Sequence, residues 1–264
     1  MTQAATVIRF EGISKVFAGG HHPALDRVSL AVGKGEFLAL VGASGSGKTT
    51  LLRLINRLTE PSSGSVRVEG ADIREVDPVK LRRGIGYVFQ GIGLFPHMTV
   101  AENIAITPKL LGWDNLRTAT RIDEMLDLVR LDRAHHRNRF PHELSGGERQ
   151  RVGVARALAA QPGIILMDEP FGALDPPTRD VLQQDYRRLH DELGLTTVMI
   201  THDTLEAVLL ADRILVLQAG RVVADGPPHA LLTSEQSAYV RDLMQMPRRQ
   251  AERLQTLMDG RPAP

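Results

Sequence analysis

The stretch FLALVGASGSGKTT, Phe37 to Thr50, decides how the rest of this chain is read. Five apolar residues, Phe37 to Val41, run into a glycine-rich segment, and Leu51, Leu54, Ile55 and Leu58 then recur at helical spacing. The pattern predicts strand, tight turn, helix. The turn fits the phosphate-binding consensus G-x-x-x-x-G-K-[ST] at Gly42, Gly47, Lys48 and Thr49. Glycine lets the backbone bend so that N–H groups along Gly42, Ala43, Ser44, Gly45, Ser46 and Gly47 face one hollow. The start of a helix adds positive potential there. Lys48 would neutralise phosphate oxygens, and Thr49 would offer its hydroxyl to Mg2+. The plain alternative is a flexible loop that fits by accident; the flanking strand and helix argue against it.

The bulk properties exclude several classes. A chain of 264 residues suffices for one large domain or two modest ones. Lys and Arg number 32 against 31 Asp and Glu, a formal net charge of +1. That balance gives no general argument for nucleic acid as a partner. With no cysteine, disulfides and thiolate metal sites are excluded. The opening MTQAATVIRF lacks the apolar core of a secretory signal, and no apolar run approaches the ~18 residues of a membrane span. Any membrane role is therefore expected to come through a partner.

Outward from the loop, the first segment predicts short strands. Val7, Phe10 and Ile13 lie near one, and Val28, Leu30 and Val32 alternate in another. Val66 and Val68 alternate in a third, and Ile85 to Phe89 reads as a strand ending at Gln90. From Gly91 to Leu144 the texture becomes helical, with Ile122, Met125, Leu126 and Val129 on one face, as expected of a subdomain inserted into an α/β core. A helix is then expected to about Ala160, strands at Ile164–Met167 and Thr197–Thr201, and helices after Pro176 and from Thr204. Strands at Ile214–Leu217 and Arg221–Ala224 follow, then a helix from Glu235 to about Met258. Strands alternating with helices imply a largely parallel sheet, whereas the first strands look antiparallel.

In open parallel sheets, ligands sit beyond the carboxyl ends of the strands. Three apolar runs here end in polar groups: Phe37–Val41 in the phosphate loop, Ile164–Met167 in Asp168 and Glu169, and Val198–Thr201 in His202. Side chains alternate along a strand, so Asp168 and Glu169 are expected to point different ways. Asp168 suits Mg2+ and Glu169 suits a general base; the alternative is an acidic loop start beside Pro170. Gln90, ending another strand, can ligate Mg2+ and orient water, or is an ordinary polar strand end. His202 is placed for a γ-phosphate contact, although most histidines do nothing catalytic.

The segment LSGGERQRVGVARAL, Leu144 to Leu158, carries a capping box, Ser145 with Glu148. A capping box needs no glycines, yet Gly146 and Gly147 follow it. They strip side chains from the helix start and expose its N–H groups, which makes a second anion site. About a hundred residues separate it from the phosphate loop, too many for one loop.

With GASGSGKTT, Gln90, LSGGE, IILMDEP (Ile164 to Pro170), ALD (Ala173 to Asp175) and His202 in this order, the chain resembles the ATP-binding-cassette ATPases from about residue 7 to about 232. The resemblance implies a P-loop NTPase core of α/β class with a mostly parallel sheet, residues 1–90 and 145–232, carrying an N-terminal antiparallel β subdomain. A helical subdomain occupies 91–144, residues 145–160 form the signature helix, and 233–264 form a C-terminal helical extension. It implies a head-to-tail homodimer with ATP and Mg2+ between the phosphate loop of one copy and the Ser145–Gly147 helix start of the other. By that likeness Lys48, Thr49 and Thr50 cradle phosphates and metal, Asp168 and Gln90 support the metal, Glu169 is the base and His202 contacts the γ-phosphate. Asp175 reaches across the interface, or caps a helix starting at Pro176, or both. Phe17 sits where the family places an aromatic on adenine; a buried core Phe is the alternative.

The stretch GYVFQGIGLFPHMTVAENI, Gly86 to Ile104, resembles importers of quaternary-amine osmoprotectants such as glycine betaine, choline or carnitine. FPHELSGGERQRVGVARAL and MDEPFGALDPPTR strengthen the likeness, which amino-acid importers share in part. It implies transmembrane permease subunits, a separate solute-binding protein, and a peripheral place on the cytoplasmic face of the inner membrane. Leu94, Phe95, Pro96 and Met98 either line the groove that receives the permease or are buried in the subdomain. Residues 233–264 are too few for the paired regulatory modules of many osmoprotectant cassettes, so none is expected. The helix at 235–258 either packs on its own cassette or braces the dimer. A cassette acting on DNA or ribosomes is the second class. It lacks support here, because no long heptad run and no second cassette occur, and no nucleic acid is expected. A phosphate-loop kinase or GTPase leaves LSGGE and Glu169 without a role.

Overall fold

Alternation decides which sheet each strand joins. The computed structural model describes residues 5–19, 22–91, 93–233 and 237–258. β1 (Thr6–Lys15) and β2 (Leu25–Gly33) bury every second side chain or nearly so, Ile8, Phe10, Val28, Leu30 and Val32 among them. β3 (Phe37–Val41) buries all five of its residues and leads through the phosphate loop into α1 (Lys48–Ile55). β4 (Ser63–Val68), β5 (Ala71–Asp72), α2 (Pro78–Arg83) and β6 (Ile85–Val88) follow. α3 (Val100–Leu110), α4 (Asn115–Leu128), α5 (Arg133–His136) and a 3-10 turn at Pro141–Glu143 fill the middle of the chain. Then come α6 (Gly146–Leu158), β7 (Ile164–Asp168), α7 (Pro176–Leu193), β8 (Thr196–Ile200) and α8 (Thr204–Leu210). β9 (Arg213–Gln218), β10 (Arg221–Gly226), α9 (Pro228–Thr233) and α10 (Ala238–Met258) complete the described chain.

Four strands form an antiparallel sheet in the order β2-β1-β4-β5. Six form the main sheet, β10-β9-β3-β8-β7-β6, parallel except for the β9–β10 hairpin. That hairpin turns on Ala219 and Gly220, both at positive φ, the backbone that two-residue hairpins favour. The main sheet lies between two apolar layers. Phe37, Ala39, Val41, Ile165, Met167 and Met199 face a core shared with α3, α4, α6 and α7. Leu38, Leu40, Ile164, Leu166 and Val198 face a second core, built with α1 and the antiparallel sheet. Successive residues thus go to opposite layers and both layers are apolar, which is why these strands show no alternation in sequence.

Some expectations shift. α1 ends at Ile55, so Leu58 lies outside it and is half-exposed rather than on its buried face. β6 ends at Val88, and Phe89 leaves the sheet to lie tilted over Tyr87, ring centroids 4.3 Å apart. The helix expected from Glu235 is described from Ala238; residues 235 and 236 lie outside the described residues. The helix packs on its own chain: Val240 and Met244, one turn apart, are fully buried in the main core.

Candidate active site

The phosphate loop leaves the carboxyl end of β3, and its glycines are required by crowding. Gly42 has φ +143°, and a Cβ there would overlap the Leu217 carbonyl. Gly47 has φ +106°, and its Cβ would lie 2.5 Å from Ala24 O. Ser46 N–H closes the loop onto Ala43 O at 3.2 Å. Gly47 is the N-cap of α1 and offers no side-chain acceptor, so the first N–H groups of this helix are left for an anion. Lys48 is almost fully buried and its Nζ donates to Gly42 O at 2.8 Å and Ala43 O at 2.9 Å. Burial pulls this ammonium below its ordinary value, while Glu169 and Asp168 push back.

The two carboxylates diverge, though not through the pleat. Asp168 is the last residue of β7, and Glu169 has φ +48°, so the backbone turns out of the strand between them. The Glu169 N–H donates to Ile200 O at 3.0 Å, which fixes the turn to β8. Glu169 Oε2 accepts from Gln90 Nε2 at 3.1 Å, and Glu169 Oε1 lies 2.7 Å from His202 Nε2. A cleft of about 570 Å³ is lined by Ala24, Ser44 to Thr50, Gln90, Glu169 and His202. Asp168 is buried below it, and burial, then the charge of Glu169, holds its carboxyl above the usual range. Its Oδ1 and the Ser46 hydroxyl find no hydrogen-bond partner among the described residues. Such groups are costly unless something compensates them. A buried orphan carboxylate oxygen, a hydroxyl at Thr49 and the amide of Gln90 are hard oxygen donors, and they suit Mg2+.

Ser145, Gly146, Gly147, Asp175 and Phe17 do not line this cleft. The capping box is present: Glu148 N–H donates to Ser145 Oγ at 3.3 Å, and Ser145 N–H to Glu148 Oε2 at 2.7 Å. Glu148 Oε1 also meets His136 Nε2 at 3.0 Å. A Cβ on Gly146 would meet Leu174 Cδ2 at an ordinary 3.9 Å, but a Cβ on Gly147 would lie 2.5 Å from Thr178 Cγ2 of α7. Gly147 therefore has a packing reason beyond the exposure of N–H groups. Asp175 caps α7, its Oδ1 accepting from Thr178 N–H at 3.1 Å, and that bond holds its carboxyl below the usual range. Phe17 is 49% exposed and so is not a core residue; Lys15 Nζ sits 5.0 Å over its ring.

The chain matches the family described as ABC transporter over residues 25–172, more than half of its length. The chain belongs to the ABC transporter family. It is 50% identical over 238 residues to the glycine betaine/carnitine/choline transport ATP-binding protein OpuCA of Bacillus subtilis, matching 90% of this chain. The match covers 62% of OpuCA, so this cassette spans under two thirds of that relative's length. Over 235 residues it is 49% identical to the glycine betaine uptake system ATP-binding protein YehX of Escherichia coli, covering 89% of this chain and 75% of YehX. A solved dimeric ATP-binding cassette in a post-hydrolysis state, bound to ADP and Pi, is similar in structure. The TM-score is 0.76 at 34% identity, over 83% of this chain and 98% of that one.

Several residues of the cassette's site carry no motif signal. Ala24 lines the cleft and touches Gly47 only because the end of the β1–β2 turn is folded under the loop. Arg179 Nη2 donates to Leu174 O at 3.1 Å, and Arg179 Nη1 faces Asp203 at 3.8 Å. The groove expected from Leu94, Phe95, Pro96 and Met98 is only partly theirs. A cavity of about 410 Å³ is lined by Phe95 together with Leu58, Tyr87, Phe89, Ile106 and Arg156, among others, while Leu94 packs on the main core. Among the described residues, no helix is long and apolar enough to cross a membrane.

Proposed function

We propose that this cassette is the ATP-hydrolysing subunit of a membrane importer for quaternary-amine osmoprotectants of the glycine betaine, choline or carnitine type. The observation that carries the catalytic part is the clamp on Glu169, held from one side by Gln90 and from the other by His202 at the mouth of the phosphate loop. Gly42 to Gly47 and the open start of α1 receive the phosphates, with Lys48 supplying positive charge and Thr49 and Thr50 hydroxyls. Thr49, Gln90 and Asp168 would hold Mg2+, which when bound neutralises charge on the phosphate oxygens. Glu169 takes a proton from water as its oxygen attacks the γ-phosphorus and the bond to the bridging oxygen breaks, giving ADP and Pi. His202 holds Glu169 in place and reaches the γ-phosphate.

Ser145, Gly146, Gly147 and Asp175 lie apart from this cleft, which supports a head-to-tail homodimer in which they complete the cleft of the other copy. The ADP- and Pi-bound relative is itself dimeric. The apolar cavity at Phe95 and Tyr87, adjoining Gln90 in sequence through Phe89, is the surface we assign to a transmembrane permease subunit. A separate solute-binding protein would choose the solute, and the cassette would sit on the cytoplasmic face of the membrane through the permease. The solute class rests on the named activities of OpuCA and YehX.

The direct test is ATP hydrolysis by the purified chain across protein concentration, followed by glycine betaine uptake into vesicles carrying the chain with its permease. Activity per cassette that rises with concentration, and uptake that needs ATP, are expected. Full hydrolysis by a strict monomer refutes the shared site, and ATP-driven uptake of amino acids but not of quaternary amines refutes the solute class.

A further inference from the structure

The phosphate loop is also held from outside. The Ala43 N–H donates to the Tyr239 hydroxyl at 2.9 Å, across 196 residues of sequence. The carbonyl of the same peptide unit, Gly42 O, accepts from Lys48 Nζ at 2.8 Å. One peptide plane is thus gripped at both edges, by an ammonium on its oxygen and by a phenol on its nitrogen. The next carbonyl, Ala43 O, takes a second bond from Lys48 at 2.9 Å. Gly42 carries no Cβ to restrict rotation of this plane, so its orientation depends on what grips it.

Tyr239 is well anchored for this. It lies in the first turn of α10 beside the fully buried Val240, with Met244 buried one turn on, and its ring packs against the main core. Seven residues further, two turns along the same face, Met246 lines a cavity of about 390 Å³ together with His202 and Asp203. One helix face therefore runs from the phosphate loop toward the histidine that meets Glu169.

We propose that Tyr239 is a positioning residue of the nucleotide site. Its hydroxyl fixes the Gly42–Ala43 peptide so that the carbonyl stays turned to Lys48 and the loop keeps the shape that receives phosphate. The proposal rests on reading Gly42 to Thr50 as the ATP site. It gives α10 a part in nucleotide binding that packing alone does not require.

The hydroxyl and the ring are separable. Tyr239→Phe keeps the ring and removes the acceptor; Tyr239→Ala removes both. In the full chain without nucleotide, Y239F is expected to speed amide hydrogen exchange at Ala43 while α1 keeps its native exchange. Binding of a fluorescent N-methylanthraniloyl-ATP is expected to weaken about 2- to 12-fold, the effect of one net hydrogen bond. The KM for ATP is expected to rise with it, the loss falling on KM rather than kcat. Native exchange at Ala43 together with native affinity in Y239F overturns the proposal. So does a defect confined to Y239A, which assigns the residue to packing. Should the unaltered chain bind no ATP analogue, the ATP-site reading fails, while the exchange at Ala43 still judges the role of Tyr239.

Discussion

Glu169→Gln removes a charge and keeps a shape. The amide oxygen still accepts from Gln90 Nε2, now 3.1 Å from the carboxylate, and the amide nitrogen stays within reach of His202 Nε2, now at 2.7 Å. The push that Glu169 exerts on buried Asp168 disappears, and so does the support its charge gives the buried Lys48 ammonium, two changes of opposite sign. The folded chain should therefore melt close to the native one. What is lost is the base. Proton transfer by a positioned base is worth about 10²- to 10⁴-fold in rate. At ~1.4 kcal/mol per decade this is about 3–5 kcal/mol of barrier. Phosphate release at saturating ATP and Mg2+, with sedimentation in the same buffer, reads both parts. Turnover should fall by that factor, ATP binding should hold, and dimers should accumulate with ATP. Turnover within about three-fold of native removes Glu169 as the base, and loss of ATP binding together with turnover assigns it to binding instead.

Ser145→Arg deletes the N-cap of α6, at a cost of about 1 kcal/mol, and should leave a folded monomer melting a few degrees lower. ATP-dependent dimers should be absent; a dimer that still forms contradicts the shared site. Gly147→Ala places a methyl 2.5 Å from Thr178 Cγ2 and should cost about 1–3 kcal/mol in urea unfolding. Thr178→Ser in the same chain removes that carbon and should restore most of it; no recovery means the crowding lies elsewhere. Glu148 sits at about 2 against an ordinary 4.5, first through the Ser145 N–H and then through His136. A depressed acid contributes stability that is present above the unfolded value and lost as pH falls through the folded one. The stability gap between native and Glu148→Gln should hold from pH 7 to about 5 and close between about 4.5 and 2. A gap unchanged at pH 3 counts against this account.

What the sequence reveals depends on whether the deciding contact is local. β3, β7 and β8 are legible because strands buried on both faces are mostly apolar, and each runs into a polar end that faces the ligand edge. The capping box at Ser145 is legible because four consecutive residues contain it. α2 and α9 escape because six residues carry too little periodicity, although Asp77 before Pro78 is a helix-start signal. Leu58 fits a helical stripe, but the helix stops before it. The separation of Asp168 from Glu169 is expected from strand alternation and arises instead from a backbone turn at Glu169, which a bond to β8 fixes. Tyr239 on Ala43 and Thr178 against Gly147 are tertiary contacts, invisible to spacing.

The residues of the site fall into two groups, and the contacts between them differ in strength. The cleft group is tight, with Glu169 joined to His202 at 2.7 Å and to Gln90 at 3.1 Å. The second group, Ser145 to Gly147 with Asp175, is held by the packing of α6 on the start of α7. Arg179 connects them. It donates to Leu174 O beside Asp175 and faces Asp203, the neighbour of His202. Yet its contact with Asp203 is 3.8 Å long between partly exposed side chains, a pair worth less than about 1 kcal/mol. Buried bonds also tie α7 to the strand and helix that flank His202: Gln183 Nε2 donates to Glu206 Oε1 at 2.8 Å, and Tyr186 and Thr197 share a hydrogen bond at 2.8 Å. Under the head-to-tail reading, both groups move with one shared core when the copies separate, and Glu169 keeps Gln90 and His202 as partners. Opening the dimer then need not dismantle the group that performs the chemistry.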